Sequence, residues 1–247
     1  EFNAVRGVYE RNFDINPFNY ALYTSRSVTP YDENGNLEYF RRNWTPFNII
    51  HESSHNYVDL NVSDMSAQLK YDLKLSSALN FSTTLQSRWL SSRAVQKVHE
   101  NSNQAQAYRA DDPLIRNQNI FLFDDPDAPL LEPYSILPNG GFRHVTSNTL
   151  VTHFIRNTLD YSKTINDIHL ISLFAGQEIR VNDRKSEYSQ GWGYLYDKGG
   201  LVLADPNFLR YLDLNGDEYY SVSPTKNRSW GTFLNAAYSY DATYIFN

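Results

Sequence analysis

The sequence predicts an all-β protein built from antiparallel strands, and three observations support that fold class. Residues 64–90 alternate between apolar and polar side chains, which is the period of a strand with two different faces. The same alternation returns in two later parts of the chain. Alternating runs are joined in pairs by short turns, and the pairs are separated by long polar segments. This sorting of short turns to one end and long loops to the other predicts a segment of a transmembrane β-barrel.

Composition narrows the class of protein. The 247 residues suffice for one large β domain or two smaller ones. Mean hydropathy is −0.56 and no apolar run approaches about eighteen residues, which argues against a transmembrane helix but is compatible with membrane-crossing strands. The net charge of −6, with no basic run, argues against a nucleic-acid partner. The absence of cysteine excludes disulfides and thiolate chemistry.

The N-terminal quarter contains a weak strand candidate and a long loop. Residues 4–9 are the strand candidate, and Pro17 ends the ladder because proline has no backbone N–H to donate. Residues 31–36 include an Asn-Gly pair between short β-prone flanks, which predicts a small hairpin. The remaining residues are polar and irregular, so we expect a loop over residues 14–63.

The central hairpin is the clearest element. Met65, Leu69 and Leu73 share one face of its first strand, and Leu85 and Trp89 continue that face on the second. Residues 75–77 form the polar turn between them. Each run has about ten residues, the length that a tilted strand needs to cross the hydrocarbon core of a membrane.

The rest of the chain repeats this organisation and brings the total to about seven strands. Residues 91–147 are rich in aspartate and proline and show no periodicity, so we expect a long loop, a feature that is generally functional. The segments that follow are a strand at 151–161, a turn at 162–167, a strand at 169–180, a long loop at 181–228, a strand at 230–240, a turn at 241–242 and a strand at 244–246.

Aromatic residues make up 15% of the chain, a content that strands, carbohydrate-binding faces and barrel girdles all favour. Five of them lie near predicted strand ends, where the interfacial girdles of a barrel belong: Tyr71, Trp89, Tyr161, Trp230 and Tyr240. We expect a structural role for these residues.

Several segments resemble the SusC/RagA family of TonB-dependent outer-membrane transporters. They occur in the order of the family and are spread over most of the chain, which makes them more specific jointly than singly. They are residues 16–26 (NPFNYALYTSR), 31–36 (YDENGN), 100–109 (ENSNQAQAYR), 156–161 (RNTLDY) and 235–240 (NAAYSY).

The resemblance implies a barrel of about 22 strands in the bacterial outer membrane, plugged by an N-terminal domain. Such proteins import oligosaccharides or peptides, are driven by TonB, and use a SusD-like surface lipoprotein as a lid over their extracellular loops. This sequence departs from the family in having no plug or TonB-box region and too few strands to close a barrel, so we expect residues 1–247 to be a segment of the barrel wall. The ligand contacts of the family lie partly on the plug, so no residue role is transferred.

One motif suggests different chemistry. His51, Glu52 and His55 match H-E-x-x-H, which on a helix places two imidazoles on one face to bind Zn²⁺ while the glutamate activates water. The surrounding sequence predicts strand and loop, and no third ligand follows at the expected spacing. The simpler interpretation is two polar histidines in an extracellular loop.

Residues 213–218 (DLNGDE) are similar to the start of a calcium loop and are a candidate for loop-bound Ca²⁺. An EF-hand requires glycine at its sixth position and glutamate at its twelfth, where this chain has Glu218 and Pro224. An acid-rich turn is the simpler interpretation, and we expect no other cofactor.

Trp192, Tyr194 and Tyr196 alternate around two glycines, so an extended backbone would project their rings to one side. This arrangement indicates a platform that stacks on sugar or contacts the lid lipoprotein. Loop packing and a membrane girdle are alternative explanations.

The interpretation that covers most of the chain is a non-enzymatic wall segment of a nutrient importer that contacts outer-membrane lipid. Two alternatives remain open. One is a zinc metallopeptidase built on His51, Glu52 and His55, and the other is a soluble all-β carbohydrate-binding module that uses the tyrosine-rich loops.

Overall fold

The computed structural model describes residues 2–7, 17–240 and 244–246, and most of them belong to one antiparallel sheet, which confirms the all-β fold class. In chain order the elements are β1 (Phe2–Gly7), α1 (Pro17–Tyr23), β2 (Phe40–Arg42), β3 (Thr45–Phe47), α2 (Ile49–His55), β4 (Asn56–Lys74), β5 (Leu79–Val98), α3 (Asn103–Ala107), β6 (Gly141–Ile165), β7 (His169–Ser189), β8 (Trp192–Leu195), β9 (Leu201–Val202), α4 (Phe208–Leu214), β10 (Tyr220–Tyr240) and β11 (Tyr244–Phe246).

Neighbouring strands of the main sheet follow the order β1-β4-β5-β6-β7-β10-β11. Strand β8 adds to β6 and β9 to β8, while β2 and β3 form a separate pair. Within the described residues β1 and β11 do not pair with each other, so the sheet is open. The predicted strand at 4–9 corresponds to β1, which pairs with β4; residues 8–9 of that prediction and the predicted turn at 241–242 lie outside the described residues.

Two hairpins turn at or near the predicted positions, 75–77 and 162–167, although β6 continues to Ile165 and shortens the second turn. The first turn lies between Lys74 and Leu79, and the second, between β6 and β7, contains Asn166 and Asp167. The φ angles of these two residues are 54° and 56°. Asn and Asp tolerate this left-handed region, and two consecutive positive φ angles match the right-handed twist of a hairpin.

The strands are longer than predicted, and the loops are correspondingly shorter. The predicted loops at 91–147 and 181–228 reduce to residues 99–140 and 190–219, because β5, β6, β7 and β10 extend beyond the alternating region. In those extensions polar residues occur on both faces, as at Ser91, Ser92 and Arg93, so the alternation is lost although the hydrogen-bonded ladder continues. The predicted loop at 14–63 also contains ordered elements, since α1, β2, β3 and α2 lie there and β4 begins at Asn56.

A constant register gives the sheet two different faces. We call them the apolar face, made by odd-numbered residues of β4–β7 and even-numbered residues of β10, and the polar face, made by the others. One row of the apolar face joins Leu69, Leu85, Ile155, Ile179 and Trp230, all of which are exposed. The corresponding rows of the polar face consist mainly of Ser, Thr, Asn, Gln and charged side chains.

The buried core lies at the loop end of the sheet. Its members come from the long connections and from the loop-proximal ends of the strands: Phe47, Ile49, Val98, Ala105, Ala107, Tyr108, Phe121, Phe123, Ile136, Leu137, Phe142, Trp192, Phe208 and Leu212. The loops are therefore packed structures. Among the described residues, no helix combines the length and the apolar character that a membrane span requires.

Candidate functional site

A cleft of about 820 Å³ lies between the polar face and the packed loops. Strands β4–β7 supply one wall, with Gln96, His144 and Tyr188 among its residues. The opposite wall comes from the loops and includes Tyr108 and Trp192. The loops thus cover the polar face at this end of the sheet.

Aromatic rings hold the loop wall together. Trp192 meets Phe142 edge to face at 4.7 Å between ring centroids, and it meets Tyr108 in the same way at 5.5 Å. The Phe208 ring is a third neighbour, at 5.2 Å between its centroid and that of Trp192. Such pairs add to the free energy gained by burying the rings. Trp192 is 6% exposed, so it acts mainly as the centre of this packing.

Polar groups of the cleft are fixed by hydrogen bonds. The buried Gln190 accepts a hydrogen bond from the Trp192 indole at 2.8 Å and donates one to the Glu218 carbonyl at 3.1 Å. Gln104 accepts a hydrogen bond from the Asn56 amide at 2.8 Å. Fixed amides beside aromatic faces are the usual lining of a site for a polar organic ligand.

The three predicted ligand residues do not project to one side. Trp192 pairs with Phe142 on the polar face, whereas Tyr194 pairs with Gly141 on the apolar face. Gly193 lies between them with a φ of 72°, and the register shifts by one residue at this point. A β-bulge with glycine in the left-handed region therefore breaks the alternation. Trp192 lines the cleft, and Tyr194 and Tyr196 lie outside its lining.

Tyr196 belongs to a second cluster near the loop end of the apolar face. Its ring stacks on His99 at 4.0 Å, and its hydroxyl donates to the Phe142 carbonyl at 2.7 Å. Tyr194 lies 4.7 Å from Tyr196 and beneath the guanidinium of Arg143. Burial raises the pKa of Tyr196, which keeps its hydroxyl neutral.

The H-E-x-x-H motif lies on helix α2, although its surroundings predict strand and loop. The helix begins because the Asn48 side chain accepts hydrogen bonds from the backbone N–H groups of Ile50 and His51, at 2.9 and 3.2 Å. This N-cap satisfies two donors that a helix start otherwise leaves without partners. The N-cap at Asn48 therefore explains why the motif is helical.

The two histidines of the motif are not arranged to bind zinc. Their rings stack at 4.0 Å with an angle of 10° between planes, so their in-plane lone pairs do not converge on one tetrahedral ion. Both ring nitrogens of His51 are engaged, by the Tyr39 hydroxyl and the Asn101 carbonyl, each at 3.0 Å. Within the part of the chain that the structure describes, no group of three or more His, Asp or Glu side chains has metal-holding geometry.

Glu52 stabilises a loop contact. It is 1% exposed, and its carboxylate accepts the backbone N–H groups of Asn103 at 2.6 Å and Gln104 at 3.4 Å. These are the first residues of α3, so the carboxylate links α2 to the next long loop. Burial raises the pKa of Glu52 above its ordinary value.

The candidate calcium segment, residues 213–218, contains the last two residues of helix α4 and the turn that follows it. The N–H of Asp217 donates to the Leu212 carbonyl at 2.8 Å, and that of Gly216 donates to Asp213 at 3.0 Å. These two bonds, with Gly216 at a φ of 68°, form a Schellman motif. The local sequence is explained by helix termination.

Comparisons with known proteins concern the fold. Two similar solved structures are described as the RagAB peptide importer in the "closed-closed" state and the RagAB peptide transporter. Each has a TM-score of 0.59 and 14% identity over 86% of this chain, which spans only 20% of the solved chain. No protein-family model matches the sequence. No curated protein matches it either.

We predict that Gly193→Ala disrupts the bulge that separates Trp192 from Tyr194. A Cβ at this position would lie 2.0 Å from the Leu203 carbonyl oxygen, in addition to the strain of a positive φ. We expect local opening to become easier by more than about 2 kcal/mol, measured by amide hydrogen exchange over residues 190–204. The control is Gly199→Ala, where φ is 67° but a Cβ has open space. Equal effects in both variants would contradict the steric argument.

We predict that Glu52→Ala frees the start of α3. Two backbone donors lose a buried acceptor, so local opening should become easier by about 2 kcal/mol, or roughly thirtyfold faster exchange at Asn103 and Gln104. The matched control is the exposed Glu33→Ala, which should leave these amides unchanged. Unchanged protection in Glu52→Ala would show that the carboxylate does not hold this contact.

The burial of Glu52 should also make local stability depend on pH, because burial outweighs the two N–H bonds, which favour the ionised carboxylate. Because burial raises the pKa of Glu52, the folded state holds this proton more tightly than the unfolded state does. Its contribution to stability is therefore full below the ordinary pKa of 4.5 and declines as pH rises through the folded-state pKa. The measurement is the pH profile of amide exchange in the wild type minus that in Glu52→Gln. Burial also lowers the pKa values of His51 and His99, but both histidines are present in both proteins, so the difference isolates the effect of Glu52.

Proposed function

We propose that this chain forms part of the wall of a bacterial outer-membrane barrel that imports peptides or oligosaccharides. The observation that carries the proposal is the sheet with one exposed apolar face and one polar face, in which short turns and long loops lie at opposite ends. The fold shared with the RagAB peptide importer and the sequence segments similar to the SusC/RagA family support the same conclusion. The chain acts by forming a path, without chemistry.

The apolar face has the dimensions of a lipid-facing band. On β4 and β5 it extends from Met65 and Trp89 to Leu73 and Phe81. About nine or ten residues at 3.3 Å each span about 30 Å along the strand, or about 25 Å across the bilayer at a tilt near 40°. Beyond Trp89, the same face carries polar residues such as Arg93.

Aromatic side chains border this band at both ends. Trp89 ends the apolar stretch of β5 on the loop side, and Trp230 does so on β10, because tilted strands place the two ends of one cross-strand row at different depths. Tyr161, Tyr238 and Tyr240 lie toward the short turns. Rings with an apolar body and a polar edge favour the interface between lipid and water. In the proposed orientation the long loops are extracellular and the short turns are periplasmic.

The polar face would line the lumen, with the loop-covered cleft at its extracellular end. A ligand entering there meets fixed amides and the aromatic wall around Trp192 before it reaches the polar strands below. Because the loops cover this cleft, we expect ligand to enter it only when the loops rearrange. Both peptides and oligosaccharides present groups that such amides and rings bind.

Two protein partners complete the proposal. A SusD-like surface lipoprotein would cover the loop end, and TonB would act through a plug domain, as the resemblance to the SusC/RagA family implies. Exposed apolar loop residues support a partner on that side: Leu114, Ile120 and Leu130 are 83–98% exposed. Tyr194 is a further candidate for this contact.

The alternative functions fit the structure less well. A soluble carbohydrate-binding module would have to keep a broad exposed apolar face in water, and such large patches mark interaction or membrane surfaces. A zinc metallopeptidase would need converging imidazoles and a glutamate free to activate water, whereas the rings of His51 and His55 stack and Glu52 is buried in hydrogen bonds.

We predict that Leu69→Arg prevents membrane assembly of the intact protein. Leu69 is 64% exposed in the middle of the apolar band, where a lipid-facing arginine costs about 2–4 kcal/mol. The measurement is the amount of folded protein in the outer-membrane fraction, detected by its heat-modifiable migration on gels. The control is Gln68→Arg, one residue away on the polar face, which should assemble normally.

A preliminary experiment tests the proposal more broadly. The polypeptide is analysed by size exclusion and circular dichroism with and without detergent. A requirement for detergent, or for the remainder of a barrel, to stay monodisperse and β-rich supports the wall segment. A stable β-rich monomer in plain buffer would refute it.

A further inference from the structure

We propose that a second cleft, halfway along the polar face, binds carboxylate groups of the ligand. This inference rests on the proposed function, because it takes the polar face to line the import path. The cleft has a volume of about 540 Å³ and lies among β5, β6, β7 and β10. Three of its residues are arginines: Arg88, Arg180 and Arg184.

The register places these arginines around one point. Arg88 pairs with Thr152, which pairs with Asn182. Arg180 and Arg184 lie two residues before and after Asn182, so all three share the polar face. Adjacent rows of a sheet bring such side chains within reach of one another and of a shared ligand.

Only one of these three arginines has a carboxylate partner among the described residues. Arg88 is held by Asp64 through two bonds of 2.9 and 2.5 Å. Arg180 lies over the Phe154 ring at 5.1 Å, which fixes its position without neutralising its charge. Arg184 takes part in no ion pair within the described part of the chain.

The nearby acids are already occupied. Glu178, on the same face as Arg180, is bound by Arg156 at 2.7 Å. Asp183 lies on the opposite face and is paired with Lys226 at 3.1 Å. The cleft is therefore locally positive, although the chain as a whole has a net charge of −6. A positive patch with polar walls concentrates anionic ligands.

The neutral residues of the cleft suit a carboxylate as well. The Thr152 hydroxyl donates to the side-chain oxygen of Asn182 at 2.9 Å, and no described residue accepts a hydrogen bond from the NH₂ group of this cleft-lining amide. A guanidinium offers two parallel N–H groups that match the two oxygens of a carboxylate. We assign the site to the shared carboxylate chemistry of acidic peptides and uronic acids.

The test uses the intact protein in lipid nanodiscs and isothermal titration calorimetry. The probes are the capped peptide Ala-Glu-Glu-Ala and its neutral counterpart Ala-Gln-Gln-Ala, with galacturonate and galactose as a second pair. We expect the acidic member of at least one pair to bind about tenfold more tightly or better, and to weaken as salt concentration rises. The pair that shows this preference identifies the source of the carboxylate.

The variant is the double substitution Arg180→Gln and Arg184→Gln, which should abolish the preference and leave the affinity for the neutral probes unchanged. Arg184→Lys keeps the charge but loses the two-pronged geometry, so it should retain part of the preference. The matched control is Arg228→Gln, an exposed arginine on the opposite face of β10, next to the partner of Arg180. It should bind both probes as the wild type does.

Two results would overturn the site. One is equal affinity of the wild type for acidic and neutral probes in both pairs. The other is a lower melting temperature of the double variant with unchanged probe affinities, which would assign the arginines to contacts inside the protein. In either case, if the protein still inserts into membranes and binds the neutral probes, the proposed import function stands and only the carboxylate site is refuted. If the protein does not associate with lipid, the proposed import function itself is refuted.

Discussion

The structure depends on one unbroken hydrogen-bonded register that runs from β4 to β10. Because neighbouring strands stay aligned without a slip, each residue's parity decides which face it occupies across five strands. A shift of one residue in β4 or β6 would move Leu69 or Ile155, respectively, to the polar face. The same shift in β7 would move Arg180 to the apolar face. The apolar band, the loop-covered cleft and the arginine cleft therefore share a single geometric cause.

The loops obey a different constraint. Most of the sheet is covered on neither face by the described residues, so the buried core of this chain forms where the long connections pack on the strand ends. Buried polar groups hold that packing in place: the Asn103 amide donates to the Arg42 carbonyl and the Thr45 hydroxyl, and Glu52 caps the backbone beside it. Such contacts fix loop geometry because a buried polar group without a partner is costly. The cleft above the polar face thus has a preformed wall.

The sequence predicts the parts of this structure in which local chemistry and tertiary environment agree. The hairpin at 64–90 and the turn at Asn166 and Asp167 follow from alternation and turn propensity. The strand extensions could not be predicted, because polar residues such as Ser91, Ser92 and Arg93 occupy both faces of the strand and leave no alternating pattern. The split between Trp192 and Tyr194 depends on the φ of Gly193, which leaves no periodic signal.

The candidate site illustrates the same limit. A helical H-E-x-x-H motif needs converging rings to bind zinc, and the sequence does not indicate that the rings of His51 and His55 stack. The arginine cleft is also invisible in the sequence, because Arg88 and Arg184 become neighbours only through two cross-strand registers. The position of a residue in the sheet therefore indicates its neighbours better than a short sequence motif does.

The segment from Ile179 to Val181 explains why we propose different solvents for the two faces. Ile179 and Val181 belong to the apolar face, while Arg180 between them carries a full charge with no carboxylate partner among the described residues. If water lay on both sides of the sheet, the apolar row would stay exposed to water. If lipid lay on both sides, placing the charged arginine in lipid would cost several kcal/mol. A wall between lipid and an aqueous path satisfies both residues at once. The charge that such a path tolerates is then available to the ligand, which connects the fold of the strand to the selectivity proposed for the cleft.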